Sequence, residues 1–210
     1  MGRAVTRVNS RVFQGEKEPA AEIISASCRS EIKAVFNSIT FVIGRKWSKL
    51  LVGGATAGTV IPYETAYARI EQVQRLATFC HRDDDLAAPV ASGTFITAGM
   101  IVAPCSAKTL SAVAHAYGAT LIARAADVCL KERRKLALVF RETPLTLAHI
   151  DNMQRVTAMG GIVVPPLPGF YTRPATVDDI INHSVGKILD LFGIEHDLFR
   201  RWGGKALAGC

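Results

Sequence analysis

Paired cysteines are what this chain most plainly lacks. Its five, Cys28, Cys80, Cys105, Cys129 and Cys210, are odd in number and widely spaced, and they form neither a C-x-x-C pair nor a cysteine and histidine ligand pattern. That argues against a disulfide framework and against structural zinc, and it sets the expectation of a reducing, cytoplasmic setting with no metal. No uninterrupted apolar run approaches the roughly 18 residues that a spanning helix needs, and the N-terminus lacks the apolar core of a secretory signal, so no membrane span is expected. Acids are in the minority, 18 Asp and Glu against 25 Lys and Arg, for a formal charge of +7. The cations are scattered, with short clusters only at Lys131 to Lys135 and at Arg200-Arg201. Phosphate-bearing small molecules explain such a balance as well as nucleic acid does.

Internal repeats and low-complexity linkers are missing as well. With 49% hydrophobic content over 210 residues, the chain can bury a full core, and one α/β domain is the economical expectation. The chain before Glu16 bears arginines and no acid, which suits a flexible segment over 1–20 or, less simply, an organellar transit segment. The domain itself is expected over 21–202, with 203–210 a tail.

What is present is an alternation of short apolar runs with longer helical patterns. Strands are expected at Ala21 to Ser25, Lys49 to Gly53, Gly99 to Ala103, Leu136 to Phe140 and Gly161 to Val164. They are nearly all apolar without alternation, the composition of a parallel sheet covered on both faces. Helices are expected at about Glu31 to Ser38, Glu64 to Cys80, Lys108 to His115, Ala123 to Arg133, Leu145 to Met159 and Val177 to Phe192. Thr176 with Asp179 three positions on reads as a capping box for the last of these, and Ile181, Val185, Ile188 and Phe192 fall on one face.

The strand entering Pro104-Cys105-Ser106-Ala107-Lys108-Thr109 is expected to stop at the proline, which cannot donate to a central ladder. Ser106 or Thr109 can then cap the helix that follows. A helix N-terminus with hydroxyls and a lysine suits a phosphate or a flavin edge, although an ordinary capped turn with an exposed lysine has the same spacing. In an open parallel sheet ligands sit beyond the carboxyl ends of strands, where Pro104 to Thr109, Arg141 to Pro144 and Pro165 to Arg173 would converge. These loops carry Lys108, Arg141, Glu142, Tyr171 and Arg173, with Lys131, Arg133 and Arg134 ending a helix and Lys187 on the last one: a set suited to an anion. Glu142 is then either a solvated ion-pair member or, where water is scarce, a proton-transfer group. His115 and His149 read as packing or surface residues, and Cys105 as a small buried residue.

Six spaced motifs now stand in order: Ser92-Gly93-Thr94-Phe95, Pro104-Cys105-Ser106-Ala107-Lys108-Thr109-Leu110, Arg124-Ala125-Ala126-Asp127-Val128, Lys131-Glu132-Arg133-Arg134, Arg141-Glu142-Thr143-Pro144-Leu145 and Phe170-Tyr171-Thr172-Arg173-Pro174. Together, from about Glu64 to Trp202, the chain strongly resembles the UbiX-type flavin prenyltransferase family. The resemblance implies a flavodoxin-like or Rossmann-like three-layer α/β domain that assembles as a homododecamer and needs no metal. It implies transfer of a dimethylallyl group from dimethylallyl phosphate to reduced FMN, with bonds at flavin N5 and C6. The product, prenylated FMN, would serve UbiD-type decarboxylases, for example in ubiquinone synthesis; no nucleic acid partner is implied.

By the same match Ser106, Ala107, Lys108 and Thr109 surround the FMN, and Arg141 stands between FMN and the allylic phosphate. Tyr171 and Lys187 correspond to residues that hold dimethylallyl phosphate. Lys131 matches a phosphate-contacting lysine, Arg124 an arginine presented to a neighbouring subunit's flavin, and Glu142 and Glu64 acids of proton transfer. The family also opens on a strand and a loop close to G-x-S-G-A-S-G. Here that loop would fall near Ser25 to Ser30, where serines persist and glycines do not, and Gly54 stands where the family has a flavin-contacting serine. Gly53 to Gly58 could replace the loop only with a large deletion before Ser92. Glycine matters there because backbone N–H groups approach a phosphate only where no side chain intervenes. Two alternatives therefore stay open: an inactive or assembly-only paralogue, and an FMN-dependent cysteine decarboxylase. The latter's usual asparagine-methionine motif is absent from Gly161 to Pro174.

Overall fold

In the computed structural model the described residues are 39–44, 49–53, 70–75 and 77–201. The strand expected at Ala21 to Ser25, the helix at Glu31 to Ser38, the first-loop candidates at Ser25 to Ser30 and Gly54 to Gly58, and Glu64 and Trp202 lie outside them.

The elements are β1 (Ile39–Gly44), β2 (Lys49–Gly53), α1 (Ile70–Gln74), β3 (Phe79–Arg82), β4 (Thr97–Cys105), α2 (Ala107–Ala114), α3 (Leu121–Lys131), β5 (Lys135–Phe140), α4 (Leu147–Ala158), β6 (Ile162–Val163) and α5 (Val177–Phe192). Single 3-10 turns lie at Pro89–Ala91 and Phe170–Thr172. The strands form one sheet in the order β3-β2-β1-β4-β5-β6. Pairs β2 with β3, β4 with β5, and β5 with β6 are parallel. β1 runs antiparallel to both β2 and β4, so five strands point one way and one is reversed.

The apolar strands are unalternating because both faces are covered. Met100 and Val102 of β4 and Leu136, Leu138 and Phe140 of β5 pack with Leu110, Val113, Leu121, Ile122, Cys129 and Val156 from α2, α3 and α4. Their sequence neighbours Ile101, Ala103, Ala137 and Val139 point the other way, onto Ile188 and Phe192 of α5. Period-2 side-chain direction thus feeds two cores from two strands, and the three-layer α/β arrangement follows.

Two expectations are corrected here. β4 does not stop at Pro104; it continues through Cys105, which pairs with Phe140 after a register shift beyond Val102. A proline in a central strand is accommodated where the ladder is already irregular, because no N–H is demanded of it there. Of the helix expected from Glu64 to Cys80, the described residues are helical at Ile70–Gln74 and turn to a strand at Phe79–Arg82. Backbone pairing of Phe79-Cys80-His81-Arg82 with Leu50 to Gly53 outweighs the weak local helical pattern. β1, at Ile39-Thr40-Phe41-Val42-Ile43, is a strand that pattern reading passed over, although its β-branched run is a strand signal.

The other helices begin where their caps require. Thr120 accepts from Ala123 N and Thr146 from His149 N, while Thr176 and Asp179 make the reciprocal box expected for α5. His149 completes a second box, its Nδ1 accepting from Thr146 N at 3.2 Å, and its ring packs edge-on to Phe140 at 5.9 Å. It is a packing and capping residue. No described helix is long and apolar enough to cross a membrane, and the described residues contain no cluster of three or more potential metal ligands.

Candidate functional site

The carboxyl ends of β4 and β5 lie side by side and are joined: Arg141 N donates to Cys105 O at 3.5 Å. Beyond Cys105 the chain turns into α2, and Ser106 rather than Thr109 is its cap, with Oγ accepting from Thr109 N at 3.3 Å. Thr109 Oγ1 lies 3.1 Å from the same Oγ. The cap leaves other first-turn N–H groups directed out of the helix end, and Ser106 and Lys108 are exposed there. Beneath them Cys105 is fully buried, and burial pushes its thiol up to about 12. A thiol held neutral in this way is no nucleophile, in keeping with its reading as a small core residue.

Arg141 and Glu142 follow the last residue of β5, and both are exposed. Glu142 Oε1 accepts from Thr143 N at 3.3 Å, which turns the carboxylate back over its own loop. The loop after β6 is tied to the sheet by Val164 N donating to Leu138 O at 2.8 Å and leads to the turn Phe170–Thr172. Tyr171 Oη lies 3.2 Å from His183 Nε2 of α5, one helical turn before the exposed Lys187. The sheet thus gathers Ser106 to Thr109, Arg141 and Glu142 at one edge, with the loop carrying Tyr171 leaving β6 at the same carboxyl end.

Lys131 and Arg124 are placed elsewhere. Lys131 ends α3 four residues before β5 begins, hence at the amino end of the sheet. The length of β5 puts it roughly 17 Å from Arg141 along the strand direction. There a cavity of about 810 Å³ is lined by Ser92, Gly93, Thr94, Arg124, Lys131 and Arg134, among others. Lys131 Nζ pairs with Glu132 at 3.2 Å, a half-exposed contact of small energetic weight, and Arg124 pairs with Asp127 at 3.8 Å. Arg134 shapes the wall: its guanidinium donates to Gly93 O at 2.6 Å and to Phe95 O at 2.8 Å, pinning Ser92 to Phe95 above the end of α3. Residue reading of the loops did not single out Ser92 and Thr94, although both stand inside a quoted motif; it counted Arg134 among the cations suited to an anion, and here that guanidinium donates to backbone carbonyls.

A family model described as "Flavoprotein" matches residues 21–189. The flavin prenyltransferase UbiX of Neisseria meningitidis serogroup B is 57% identical over 143 residues, 68% of this chain and 75% of the relative. The chain belongs to the UbiX flavin prenyltransferase family. Among solved UbiX structures, AnUbiX (PadA1) in complex with FMN and dimethylallyl pyrophosphate is 43% identical, with a TM-score of 0.74 over 84% of this chain and 90% of that one. The dodecameric FMN-dependent UbiX-like decarboxylase of Escherichia coli O157:H7 is 45% identical, with a TM-score of 0.75 over 84% of this chain and 92% of that one. The UbiX-type fold therefore spans the described sheet and both helical layers.

One further group of residues braces this UbiX-type domain. Asp190 of α5 binds Arg201 by two hydrogen bonds, 2.7 and 3.1 Å, and His196 Nε2 at 3.2 Å. Leu198 N donates to His196 Nδ1 at 3.3 Å, which leaves Nε2 as the ring's N–H donor to Asp190. The hydrogen bond from Arg201, then its charge, hold the Asp190 carboxyl below the usual carboxylate range. A depressed carboxylate contributes stability that is fully present above its ordinary value near 4 and lost as pH falls through the lowered one. Asp190→Ala is expected to cost about 1–3 kcal/mol at pH 7, because it strands the N–H of a histidine side chain that is 2% exposed. Urea melts of both proteins should show that gap narrowing below about pH 4.

Proposed function

We propose that this chain is a flavin prenyltransferase that joins a dimethylallyl group from dimethylallyl phosphate to reduced FMN, at N5 and C6, to make prenylated FMN. The observation that carries this is the pairing of a capped helix N-terminus at Ser106 to Thr109 with Arg141 and Glu142, joined through Cys105 and the Arg141 amide. Outward N–H groups, Lys108 and the Arg141 guanidinium are donors only, and each hydroxyl has one proton to give, so the set fits an anionic flavin phosphate and an allylic phosphate. FMN supplies the nucleophilic ring positions that the prenyl group takes up.

The protein's own part is positioning and charge. Arg141, Tyr171 and Lys187 hold the departing phosphate and stabilise it as it leaves with its bonding electrons. Glu142, at the edge of that cationic set, moves the protons that closing the second bond requires, one given to the prenyl double bond and one taken up as the ring carbon is substituted, with Glu64 as the second acid. Lys131 serves the same chemistry from a second copy, because within one chain the length of β5 separates it from Arg141, and Arg124, which lines the same cavity, goes with it. That requires a homo-oligomer, and the dodecamer of the E. coli relative is the assembly we propose. The product passes to a UbiD-type decarboxylase in the cytoplasm, and 21–202 form the FMN-binding domain, with no nucleic acid partner.

The experiment is direct. Purified protein is expected to bind FMN and, once reduced, to convert it with dimethylallyl phosphate in a single turnover, read by absorbance and product mass. Colourless protein that takes up no FMN would identify an assembly-only paralogue. Oxidative decarboxylation of a cysteine-terminated substrate, without prenyl transfer, would identify the cysteine decarboxylase class.

A further inference from the structure

Tyr171 has little in its own turn to hold it. The residue is 71% exposed, and the turn Phe170–Thr172 has no side-chain cap. What meets its hydroxyl is His183, whose Nε2 lies 3.2 Å from Oη, with the two rings edge to face at 5.9 Å and 87°. The turn closes tightly on this pair: a Cβ on Gly169 would lie 3.1 Å from Tyr171 Cε1 and 3.3 Å from His183 Cε1.

The imidazole is itself backed. It rests against Phe199 at 5.0 Å, and Phe199 packs on His196 at 5.1 Å and under the Arg201 guanidinium at 5.8 Å. Asp190 fastens both of those residues to α5. Gly186 makes the docking possible, since a Cβ there would collide with Phe199 and His196. Contacts therefore run unbroken from the chain segment His196 to Arg201, through one histidine, to a hydroxyl on the loop that follows β6.

We propose that His183 is a positioning residue that aims the Tyr171 hydroxyl at the phosphate of the allylic donor. This rests on the reading of Tyr171 and Lys187 as donor-phosphate residues. A phenol has one proton to give and can accept a hydrogen bond at the same oxygen. When His183 Nε2–H donates to Oη, the phenolic proton is free for a phosphate oxygen. The ring contact ties Oη to His183, which stands one helical turn before Lys187 on α5, so the hydroxyl and the flexible ammonium can meet one anion. Without the imidazole the exposed tyrosine must be immobilised by the ligand itself, which weakens binding but leaves the bond-making step alone.

The test measures KM for dimethylallyl phosphate and kcat on the FMN-loaded protein. His183→Phe keeps a ring of similar shape and removes the nitrogen; it should raise KM about three- to tenfold, with kcat within about twofold of the parent. His183→Gln, whose amide can reach the hydroxyl, should return KM to within about twofold of the parent. Tyr171→Phe should raise KM at least as far, and adding His183→Phe to it should change nothing more, since the two residues act through one contact. A parental KM in His183→Phe beside a raised one in Tyr171→Phe overturns the role of His183 and leaves Tyr171 standing. A fall in kcat without rescue by glutamine makes His183 structural and also overturns it. A parental KM in Tyr171→Phe removes the reading on which the proposal rests, and the proposal with it.

Discussion

Glu142→Gln should leave FMN binding unchanged and slow single-turnover prenyl transfer by about 10²- to 10⁴-fold, the usual share of a positioned acid or base. The amide keeps the shape and the hydrogen bond from Thr143 N, and it loses the ability to take up a proton. Glu142 is exposed in the single chain, which by itself suits a solvated ion-pair member equally well. The two roles part cleanly in the rate. An ion-pair glutamate costs little when neutralised, so a parental single-turnover rate would remove Glu142 from the chemistry. Flavin titration on the same protein guards against loss of FMN being mistaken for loss of catalysis.

The second large effect concerns where Lys131 acts. Lys131→Ala and Glu142→Gln should each be nearly inactive as pure proteins. Unfolded together and refolded as a mixture, they should regain about a quarter of parental activity, since random assembly pairs an intact Lys131 with an intact Glu142 at one site in four. The expectation rests on their separation within one chain. Lys131 stands at the amino end of β5 and Glu142 just past its carboxyl end, and no side chain spans the roughly 17 Å between those ends. A second copy can bring the wall of Ser92, Thr94, Arg124 and Lys131 to the Arg141 edge. No regain of activity in a mixture shown to have co-assembled would mean that the two residues never share a site.

Much of this site is legible in the chain. Ser106 can cap only because Pro104 and Cys105 precede it and a helical pattern follows, and Arg141 falls at a strand end because Leu136 to Phe140 is an unbroken apolar run. Those are local statements, and local chemistry decides them. The strand at Phe79–Arg82 is not legible in the same way: its residues gain their hydrogen bonds from β2, some thirty positions away, and no local pattern reports that. His183 is similar. In the sequence it is one histidine on a helix, and its meaning comes from a tyrosine twelve residues earlier and a phenylalanine sixteen residues later.

What the sequence determines by itself is the class of fold and the identity of the chemistry. Period-2 and period-3.6 apolar patterns commit the backbone before any partner is met, and six motifs in order carry a family's donor set. What only the tertiary structure decides is which of those donors share a place. Ser106, Arg141 and Glu142 converge because parallel strands deliver their carboxyl ends to one edge, while Lys131, as cationic as the rest, is carried by α3 to the opposite end, where it lines a cavity that Arg124 also borders. Residue type fixes what a side chain can do. The direction and length of the strand beside it fix what it can reach.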